Sequence, residues 1–214
     1  MPGEITVGEG LDVDHGVEIG YLSGRSGDHA LSIGRRARLR SGTVIYAGSQ
    51  IGDDFVTGHN VVVREECIIG DDVSVWTGSV IDYGTRIGCG VRIHTSCYVA
   101  QYSELEDGVF LAPGVMLAND LYPGVAASAE RMCGPLLKAG AQLGVNVTVL
   151  PYVTIGAAAV IGAGSVVTRD VPDGTVAYGN PAVPKRSVAD LGDIGDRLLT
   201  GGDGTRASLL DRTP

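Results

Sequence analysis

The feature that most constrains the fold is an aliphatic residue that returns at every sixth position of the chain. From Ile33 to Leu117, stepping by six, fourteen of fifteen positions hold Ile, Leu or Val, and only Thr57 departs. The residue four places after each of these is small in thirteen of the fifteen cases, and Phe55 and Leu121 are the bulky exceptions. Six is the period of neither a helix nor a simple strand, and a fixed short period over many units is typical of a solenoid.

The two columns of residues predict how each hexad is built. The small residue precedes the next aliphatic residue by two positions, and residues two apart in a strand point the same way. Each hexad is therefore predicted to be a short strand with two inward side chains, followed by a bend in which glycine is frequent. Because each coil buries its inner face only by stacking on its neighbours, the sequence predicts an all-β parallel β-helix.

The period is interrupted twice, and each interruption predicts a loop that leaves the coil. The repeat resumes in a new phase at Leu137, twenty residues after Leu117 and two more than three hexads, so we expect an excursion loop at about 119–136. A similar slip between Ile19 and Ile33 contains the stretch SGRSGDHA. Insertions in solenoids often carry function, because the coils themselves carry mainly structure.

The end of the chain departs from the repeat. Pro172 and Pro181 interrupt it, so residues 1–186 are predicted to form the β-helix domain and residues 187–214 a tail. The tail is rich in Gly, Asp and Arg, and we expect one short helix around LGDIGDRLL with a partly mobile end.

Composition narrows the function classes. The formal net charge of −9 disfavours non-specific nucleic-acid binding. No apolar run is long enough to span a membrane, and the N-terminal MPGEITVGEG lacks the features of a signal peptide, so we expect a cytoplasmic protein. The four cysteines form no CxxC pair that would indicate a zinc or redox motif. The arginines of RRARLR, residues 35–40, form either a solvated face or a phosphate-holding patch.

Outward positions one coil apart are predicted to stack at about 4.8 Å, and this groups the candidate site residues. One column reads Gly58, Trp76, His94 and Ala112, and the adjacent face carries Glu65, Tyr83, Gln101 and Asn119. His59 lies on the face of His94 two coils earlier. The excursion loop opens directly after Asn119, so we expect one shared neighbourhood for Trp76, His94, Gln101, Asn119, Asp120 and Tyr122. Such a grouping favours His94 as a base, although an outward histidine or tryptophan is also common at subunit contacts.

Several segments resemble a known family. The six-residue spacing resembles the hexapeptide repeat of left-handed parallel β-helices, and residues 143–182, which end in IGAGSVVTRDVP and GNPA, resemble the C-terminal part of hexapeptide-repeat acyltransferases. The stretches NDLYPG and TGHNVVVREE are similar to the branch of bacterial sugar and nucleotide-sugar acetyltransferases. The resemblance covers about residues 33–186 and implies the left hand, whereas the general rule for parallel crossovers favours the right.

The resemblance implies a direct transfer from acetyl-CoA, with no metal, in a homotrimer whose sites lie between subunits. In the galactoside and maltose acetyltransferases a catalytic histidine precedes a proline in the loop, and Tyr122 matches it here. His94 stands where those relatives carry an active-site asparagine, so we predict His94 as the general base. The other predicted catalytic residues are Asn119, Asp120 and Tyr122, and the predicted acceptor contacts are His59, Glu65, Trp76, Tyr83 and Gln101.

The same resemblance implies where coenzyme A binds. The matching positions are Val145, Ala163, Thr168 and Arg186, with Lys185 beside the last of these. Lys185 and Arg186 are expected to meet phosphate charge. Val183 stands where relatives carry a second arginine.

Several functions remain open from the sequence. The leading hypothesis is acetyl transfer to an amino group, and less favourably a hydroxyl, of an amino sugar or sugar nucleotide. The alternatives are an antibiotic or xenobiotic O-acetyltransferase, a non-catalytic β-helix scaffold, and a zinc lyase of the carbonic-anhydrase type. The zinc enzyme needs three converging histidines, whereas only His59 and His94 share a face.

Overall fold

A computed structural model describes residues 3–25, 27 and 29–200 of the chain. Its strands are short and follow one another around a prism. In chain order they are β1 Ile5–Val7, β2 Asp12–Val13, β3 Glu18–Tyr21, β4 Leu31–Ile33, β5 Arg38–Leu39, β6 Val44–Tyr46, β7 Gln50–Ile51, β8 Val56–Thr57, β9 Val62–Val63, β10 Ile68–Ile69, β11 Ser74–Val75, β12 Val80–Ile81, β13 Arg86–Ile87, β14 Arg92–Ile93, β15 Tyr98–Val99, β16 Glu104–Leu105, β17 Phe110–Leu111, β18 Met116–Leu117, β19 Leu136–Leu137, β20 Gln142–Leu143, β21 Thr148–Val149, β22 Thr154–Ile155, β23 Val160–Ile161, β24 Val166–Val167, β25 Thr175–Gly179 and β26 Ala182–Ser187.

Every third strand joins the same sheet, so three sheets form the faces of the prism. Sheet A runs from β1 through β4 and β7 to β22, sheet B from β2 through β5 to β25 and β26, and sheet C from β3 through β6 to β24. Neighbouring strands are parallel, and where no loop intervenes their partners are one coil apart, as in the pairing of Ile68 with Arg86 and of Arg86 with Glu104. The predicted parallel β-helix with three hexads per coil is confirmed.

The core consists of the two inward columns that the repeat predicts. Both columns are buried throughout the regular coils, and Phe55 is fully buried among mostly small and aliphatic neighbours. Thr57, the one polar residue in the aliphatic column, is also buried; its hydroxyl lies 2.9 Å from that of Thr43 and accepts a hydrogen bond from the backbone of Arg40 at 3.0 Å. Leu121 was expected in the inward column but is 48% exposed, because the chain has already left the prism there.

The bend of each hexad is set by one residue with left-handed backbone dihedrals. Every sixth residue from Arg36 to Gly114 has a positive φ. Half of these fourteen positions are occupied by residues other than glycine, including Ser96 with φ 60° and Tyr102 with φ 59°. Each such residue costs about 1–2 kcal/mol of local strain, which stacking on both neighbouring coils must offset.

Two loops leave the prism between sheets C and A. The first excursion, residues 22–30, joins β3 to β4; Ile5 pairs with Leu31, eight residues farther along than an uninterrupted coil. The second excursion, residues 118–135, contains a 3₁₀ helix at Ala126–Arg131. Leu105 pairs with Leu137, so this insertion adds fourteen residues to a coil. The expected surplus of two was wrong, because Leu117 and Leu137 stand on different faces of the prism.

The chain ends the prism with a hairpin and helices. Strand β25 continues sheet B, and β26 pairs antiparallel with β25. A short 3₁₀ helix at Val188–Leu191 follows, in which Val188 is buried, and then helix α1 at Asp193–Thr200. The expected mobile end of the tail, residues 201–214, lies outside the described residues. Within the described part of the chain no helix is both long and apolar enough to cross a membrane.

Candidate active site

Two edges of the prism carry the candidate residues. We call the turns that follow the strands of sheet B the BC edge, and the turns that follow the strands of sheet C the CA edge. Sheet C separates them, and the strand β15 is the part of it that lies between His94 and Gln101.

The BC edge carries His94 in a column with small residues and one tryptophan. Backbone hydrogen bonds link successive coils, from the Trp76 amide to the Ile93 carbonyl at 2.8 Å and from the His94 amide to the Leu111 carbonyl at 2.9 Å. The His94 side chain is partly buried, and its ring centroid lies 4.9 Å from that of Phe110. Trp76 is 41% exposed one coil earlier. The imidazole is therefore held by packing and still open to a ligand.

His59 lies on the same edge but at a distance from His94. It belongs to the next column, two coils earlier, which places it roughly 10 Å along the prism. Its Nδ1 is 2.8 Å from the hydroxyl of Ser41, and the side chain is exposed. Among residues 3–25, 27 and 29–200, no three His, Cys, Asp or Glu side chains are grouped so that they could hold a metal ion.

The CA edge carries the polar residues that precede the second excursion. The Asn119 amide donates from Nδ2 to Oε1 of Gln101 at 3.4 Å, one coil away. The Asp120 carboxylate accepts a hydrogen bond from the backbone N–H of Tyr122 at 2.8 Å. Tyr122 is 70% exposed at the start of the loop. Gln101, Asn119 and Asp120 are thus neighbours, as the sequence predicts.

The predicted single neighbourhood is not formed within one chain. His94 and Trp76 stand on the BC edge, whereas Gln101, Asn119 and Asp120 stand on the CA edge. The two groups are at opposite ends of the sheet C strands, about five residues or roughly 16 Å apart. The six-residue spacing correctly predicts the coil in which each residue lies. It does not bring His94 next to Gln101, because outward side chains on different edges point in different directions.

Glu65, a predicted acceptor contact, is buried and already paired. Its carboxylate accepts hydrogen bonds from Arg64 Nε at 2.9 Å and Arg64 Nη2 at 3.1 Å, and it lies 3.3 Å from Nε of Arg25 in the first excursion. Burial alone would raise the pKa of Glu65, but the hydrogen bonds from Arg64 and Ser23 outweigh it and hold that pKa below its usual range. Glu65 therefore anchors the first excursion and does not face a ligand directly.

Tyr83, the next residue in that column, forms an aromatic cluster. The guanidinium carbon of Arg25 lies 4.1 Å from its ring centroid, and the Tyr102 ring stands 5.0 Å away, nearly perpendicular. The hydroxyls of Tyr83 and Tyr102 contact each other, and this contact raises the pKa of Tyr102 to about 12. Sequence reasoning missed both Arg25 and Tyr102. The sequence predicted the first excursion as an insertion, but the repeat does not indicate which residues of the prism this loop contacts.

A second cluster of polar side chains, centred on Asp82, lies next to Glu65. Arg64 also approaches Asp82 at 3.7 Å, and the Tyr98 hydroxyl donates to Asp82 at 2.6 Å. Burial and this carboxylate raise the pKa of Tyr98. Tyr98 therefore remains a neutral hydrogen-bond donor, and Asp82 is a buried anion with partners on three sides, including the backbone N–H of Tyr83 at 2.7 Å.

The residues expected to contact coenzyme A do not all lie on the same edge of the prism. Val145 and Ala163 occupy the BC edge, two and three coils beyond His94, and both are exposed. Lys185 and Arg186 are exposed on β26, which extends sheet B at the same end of the prism. Thr168 follows β24 of sheet C and so stands on the CA edge, away from the other four.

The arginine cluster is largely engaged in surface ion pairs. Arg35 and Arg36 each form a two-pronged pair with an aspartate of the next coil, Asp53 and Asp54 respectively. Arg40 bridges Asp12 at 3.3 Å and Asp14 at 3.1 Å. Aspartates one coil away thus neutralise three of the four arginines, which favours the solvated face over the phosphate-holding patch.

Comparison with known proteins agrees with this architecture. A family model described as "Bacterial transferase hexapeptide (six repeats)" matches residues 48–82. Galactoside O-acetyltransferase of Escherichia coli is 29% identical over 165 residues, covering 73% of this chain and 80% of the relative. Galactoside O-acetyltransferase of Lactococcus lactis is 56% identical over 48 residues, covering 22% and 23%. The bifunctional protein GlmU of Rubrobacter xylanophilus is 29% identical, covering 86% of this chain and 41% of the relative.

The chain spans about half or less of the length of several curated relatives it matches, with coverages of 56%, 23% and 41%. Among solved structures, an Arabidopsis UDP-N-acetylglucosamine acyltransferase superposes with a TM-score of 0.67 at 18% identity, covering 93% of this chain and 74% of that chain. That likeness concerns the fold, and the predicted left-handed, nearly all-β architecture is confirmed. The chain is thus similar to hexapeptide-repeat acyltransferases, in the repeat that the family model matches and in its left-handed β-helix fold.

Proposed function

We propose that the protein transfers an acetyl group from acetyl-CoA directly to an amino group of a sugar or nucleotide-linked sugar. The observation that carries this proposal is the BC edge, where His94 stands at the head of a row of small residues. This row consists of Ala112, Gly144 and Gly162, one in each following coil. It leads over three coils, roughly 14 Å, toward the exposed cations of β26.

The row of small residues suits the donor. Because glycine has no side-chain heavy atom and alanine only a methyl group, this row adds little steric bulk to the edge. Val145 and Ala163 flank it with exposed apolar groups. Lys185 and Arg186 lie beyond its far end, where they are available to phosphate groups in a protein whose net charge is −9. A pantetheine arm lying along this row would present its thioester to His94. Thr168 has no part in this arrangement within one chain.

A cyclic trimer would complete the site. Sheet C presents an outward column that is mostly apolar, consisting of Val44, Val62, Val80, Tyr98 and Met116. Three such faces turned toward a common axis bury this column and bring the BC edge of one subunit to the CA edge of the next. A rotation about an axis along the prism preserves height, so His94 of one subunit would meet the level of Gln101 in its neighbour, one coil from Asn119.

In this arrangement each side chain has a chemical role. The acceptor nitrogen attacks the thioester carbonyl carbon, the carbon–sulfur bond breaks, and coenzyme A leaves as the thiolate. His94 takes the proton from the acceptor nitrogen and returns it to the thiolate, which balances the reaction. Asn119 and Asp120 orient the acceptor, and backbone N–H groups stabilise the oxyanion. Tyr122 takes the loop position of the missing histidine and contacts the acceptor.

The names of the relatives bear on the class of acceptor. The named galactoside O-acetyltransferases favour a sugar, and by their names they favour a hydroxyl. A xenobiotic O-acetyltransferase is the second candidate, since an exposed loop residue such as Tyr122 fits a bulky acceptor equally well. Use of acetyl-CoA as the donor agrees with a cytoplasmic location, which we include in the proposal.

The test begins with thermal unfolding in the presence and absence of coenzyme A and acetyl-CoA. A ligand that binds only the folded state raises the unfolding temperature in a saturable way. A release assay for coenzyme A with a panel of amino sugars, neutral sugars, sugar nucleotides and aminoglycosides then identifies the acceptor. A saturable shift and amino-sugar turnover are expected. No shift would overturn the proposal in favour of a scaffold, and stoichiometric zinc would favour the lyase.

A further inference from the structure

The first excursion carries a guanidinium that is fixed in place but only partly used. Arg25 Nε lies 3.3 Å from the buried carboxylate of Glu65, and the guanidinium stacks on Tyr83 at 4.1 Å. The Arg25 side chain is 49% exposed. Within residues 3–25, 27 and 29–200, no hydrogen bond or ion pair engages its two terminal nitrogens, Nη1 and Nη2.

Arg64 provides the contrast within the same cluster. Its Nε and Nη2 both donate to Glu65, and Nη1 lies 3.7 Å from Asp82, so all three nitrogens face carboxylates. A cation whose only task is to neutralise Glu65 is therefore already present. Arg25 therefore adds a second positive charge beside a carboxylate that Arg64 already pairs, and its side chain remains 49% exposed.

We propose that Arg25 binds an anionic oxygen group of the acceptor, a phosphate or a carboxylate. The two terminal nitrogens of a guanidinium, which no residue of the described part of the chain engages here, match such groups in a bidentate manner. The Glu65 carboxylate pairs with Nε of Arg25, and the Tyr83 ring packs against the guanidinium. Because these contacts already restrict the Arg25 side chain, little of its conformational entropy is lost when the anion binds. This inference rests on the proposed acetyl transfer and deepens it, because it names the charge of the acceptor.

The position of Arg25 along the prism agrees with this role. Tyr83 precedes Gln101 by one coil and Asn119 by two, so Arg25 stands roughly 10 Å from Asn119 on the CA edge. The row of small residues proposed for the donor runs from His94 in the opposite direction. Acceptor and donor would thus approach the transfer point from opposite ends. About 10 Å accommodates one sugar ring between its acetylated group and its anionic group.

The aromatic cluster adds a surface for the sugar itself. Tyr102 is 39% exposed and stands edge-on to Tyr83, and its hydroxyl contacts that of Tyr83. In the proposed trimer, the partly exposed Trp76 of a neighbour stands at the height of Tyr83. The nearby carboxylate of Glu66, 3.3 Å from where a Cβ on Gly27 would lie, limits how much negative charge the site tolerates and favours a single anionic group held by Arg25.

The experiment measures binding without turnover. Isothermal titration of the full chain, saturated with coenzyme A to occupy the donor cations, uses inorganic phosphate, glucuronate and glucose as probes. The wild-type protein is expected to bind one of the two anions and not glucose, and the anion bound distinguishes phosphate from carboxylate. Arg25→Gln is expected to weaken that binding roughly tenfold to a hundredfold. Arg25→Lys keeps the charge without the fork and is expected to lie between the two.

Arg38→Gln is the matched control, because Arg38 is an exposed arginine on sheet B, away from both edges. It is expected to bind the anion as the wild type does. The proposal is overturned if the wild type binds neither anion at about 10 mM, if Arg25→Gln binds unchanged, or if Arg38→Gln loses as much. If Arg25→Gln fails to fold, Arg25→Lys decides by the same criterion. A failed coenzyme A shift would instead refute the acetyltransferase, which keeps the two failures apart.

Discussion

If the protein forms the trimer proposed above, mixtures of two variants provide the sharpest test of the site. His94 and Asn119 stand on opposite edges of one chain, so a site that needs both must combine two subunits. His94→Ala removes the proposed base and is expected to lower turnover about 10²–10⁴-fold. Asn119→Ala removes the proposed acceptor contact. Neither variant alone has a complete site, whereas a mixture of the two contains some interfaces in which both residues are intact.

The expected recovery follows from counting interfaces. In an equal and random mixture, half of the BC edges retain His94 and half of the CA edges retain Asn119. About one quarter of the interfaces therefore pair two intact residues, and the mixture is expected to recover about one quarter of wild-type activity. If both residues acted within one subunit, every site would lack one of them and no recovery would follow.

The assay co-expresses the two variants and measures coenzyme A release with the acceptor identified by the screen. The matched control mixes His94→Ala with Trp76→Ala, because both residues stand on the BC edge of the same subunit and no interface can regain both. Recovery in the control as well as in the test pair, or in neither, would refute the shared site. Near-wild-type turnover by His94→Ala alone would remove His94 from the mechanism.

Three further predictions concern stability. Phe55→Ala is expected to lower the free energy of unfolding by about 3–5 kcal/mol, measured by chemical denaturation, because the fully buried ring leaves a cavity that rigid stacked coils fill poorly; a loss below 1 kcal/mol would contradict this. Ser96→Val is expected to cost about 1–2 kcal/mol, because Ser96 has φ 60° and a β-branched side chain is more strained there than serine. The exposed neighbour Thr95→Val is expected to cost little, and equal losses would argue against backbone strain. The lowered pKa of Glu65 stabilises the fold above its unfolded value of 4.5, and this contribution is lost as the pH falls below that value, so Glu65→Gln is expected to be less stable at neutral pH and to lose less stability on acidification.

Much of the fold was readable from the sequence because the solenoid repeats one local rule. The inward columns, their burial and the placement of Trp76 one coil before His94 on the same edge all follow from a period of six. The bends were less predictable: half of the left-handed positions hold residues other than glycine, among them Tyr102, because tertiary stacking overrides the local preference of the backbone.

For the candidate site, the sequence predicted the coil in which each residue lies but not the edge of the prism from which its side chain projects. Gln101, Asn119 and Asp120 were correctly grouped, since they are one coil or one residue apart. His94 was assigned to the same neighbourhood, although sheet C lies between them. The role of Glu65 also changed, because Arg64 and Arg25 both pair with its carboxylate, and nothing in the repeat indicates where the first excursion contacts the prism.

The sequence by itself determined the coil, the sheets, the core and the order of residues along the prism, because each depends only on contacts between equivalent positions of neighbouring coils. The tertiary structure decided what the two excursions cover, which edge each polar side chain faces, and that Arg25 lies against Glu65 and Tyr83 with its side chain 49% exposed. Those contacts join residues about forty to sixty positions apart that share no period. These contacts can be identified only from the three-dimensional positions of the edges of the prism.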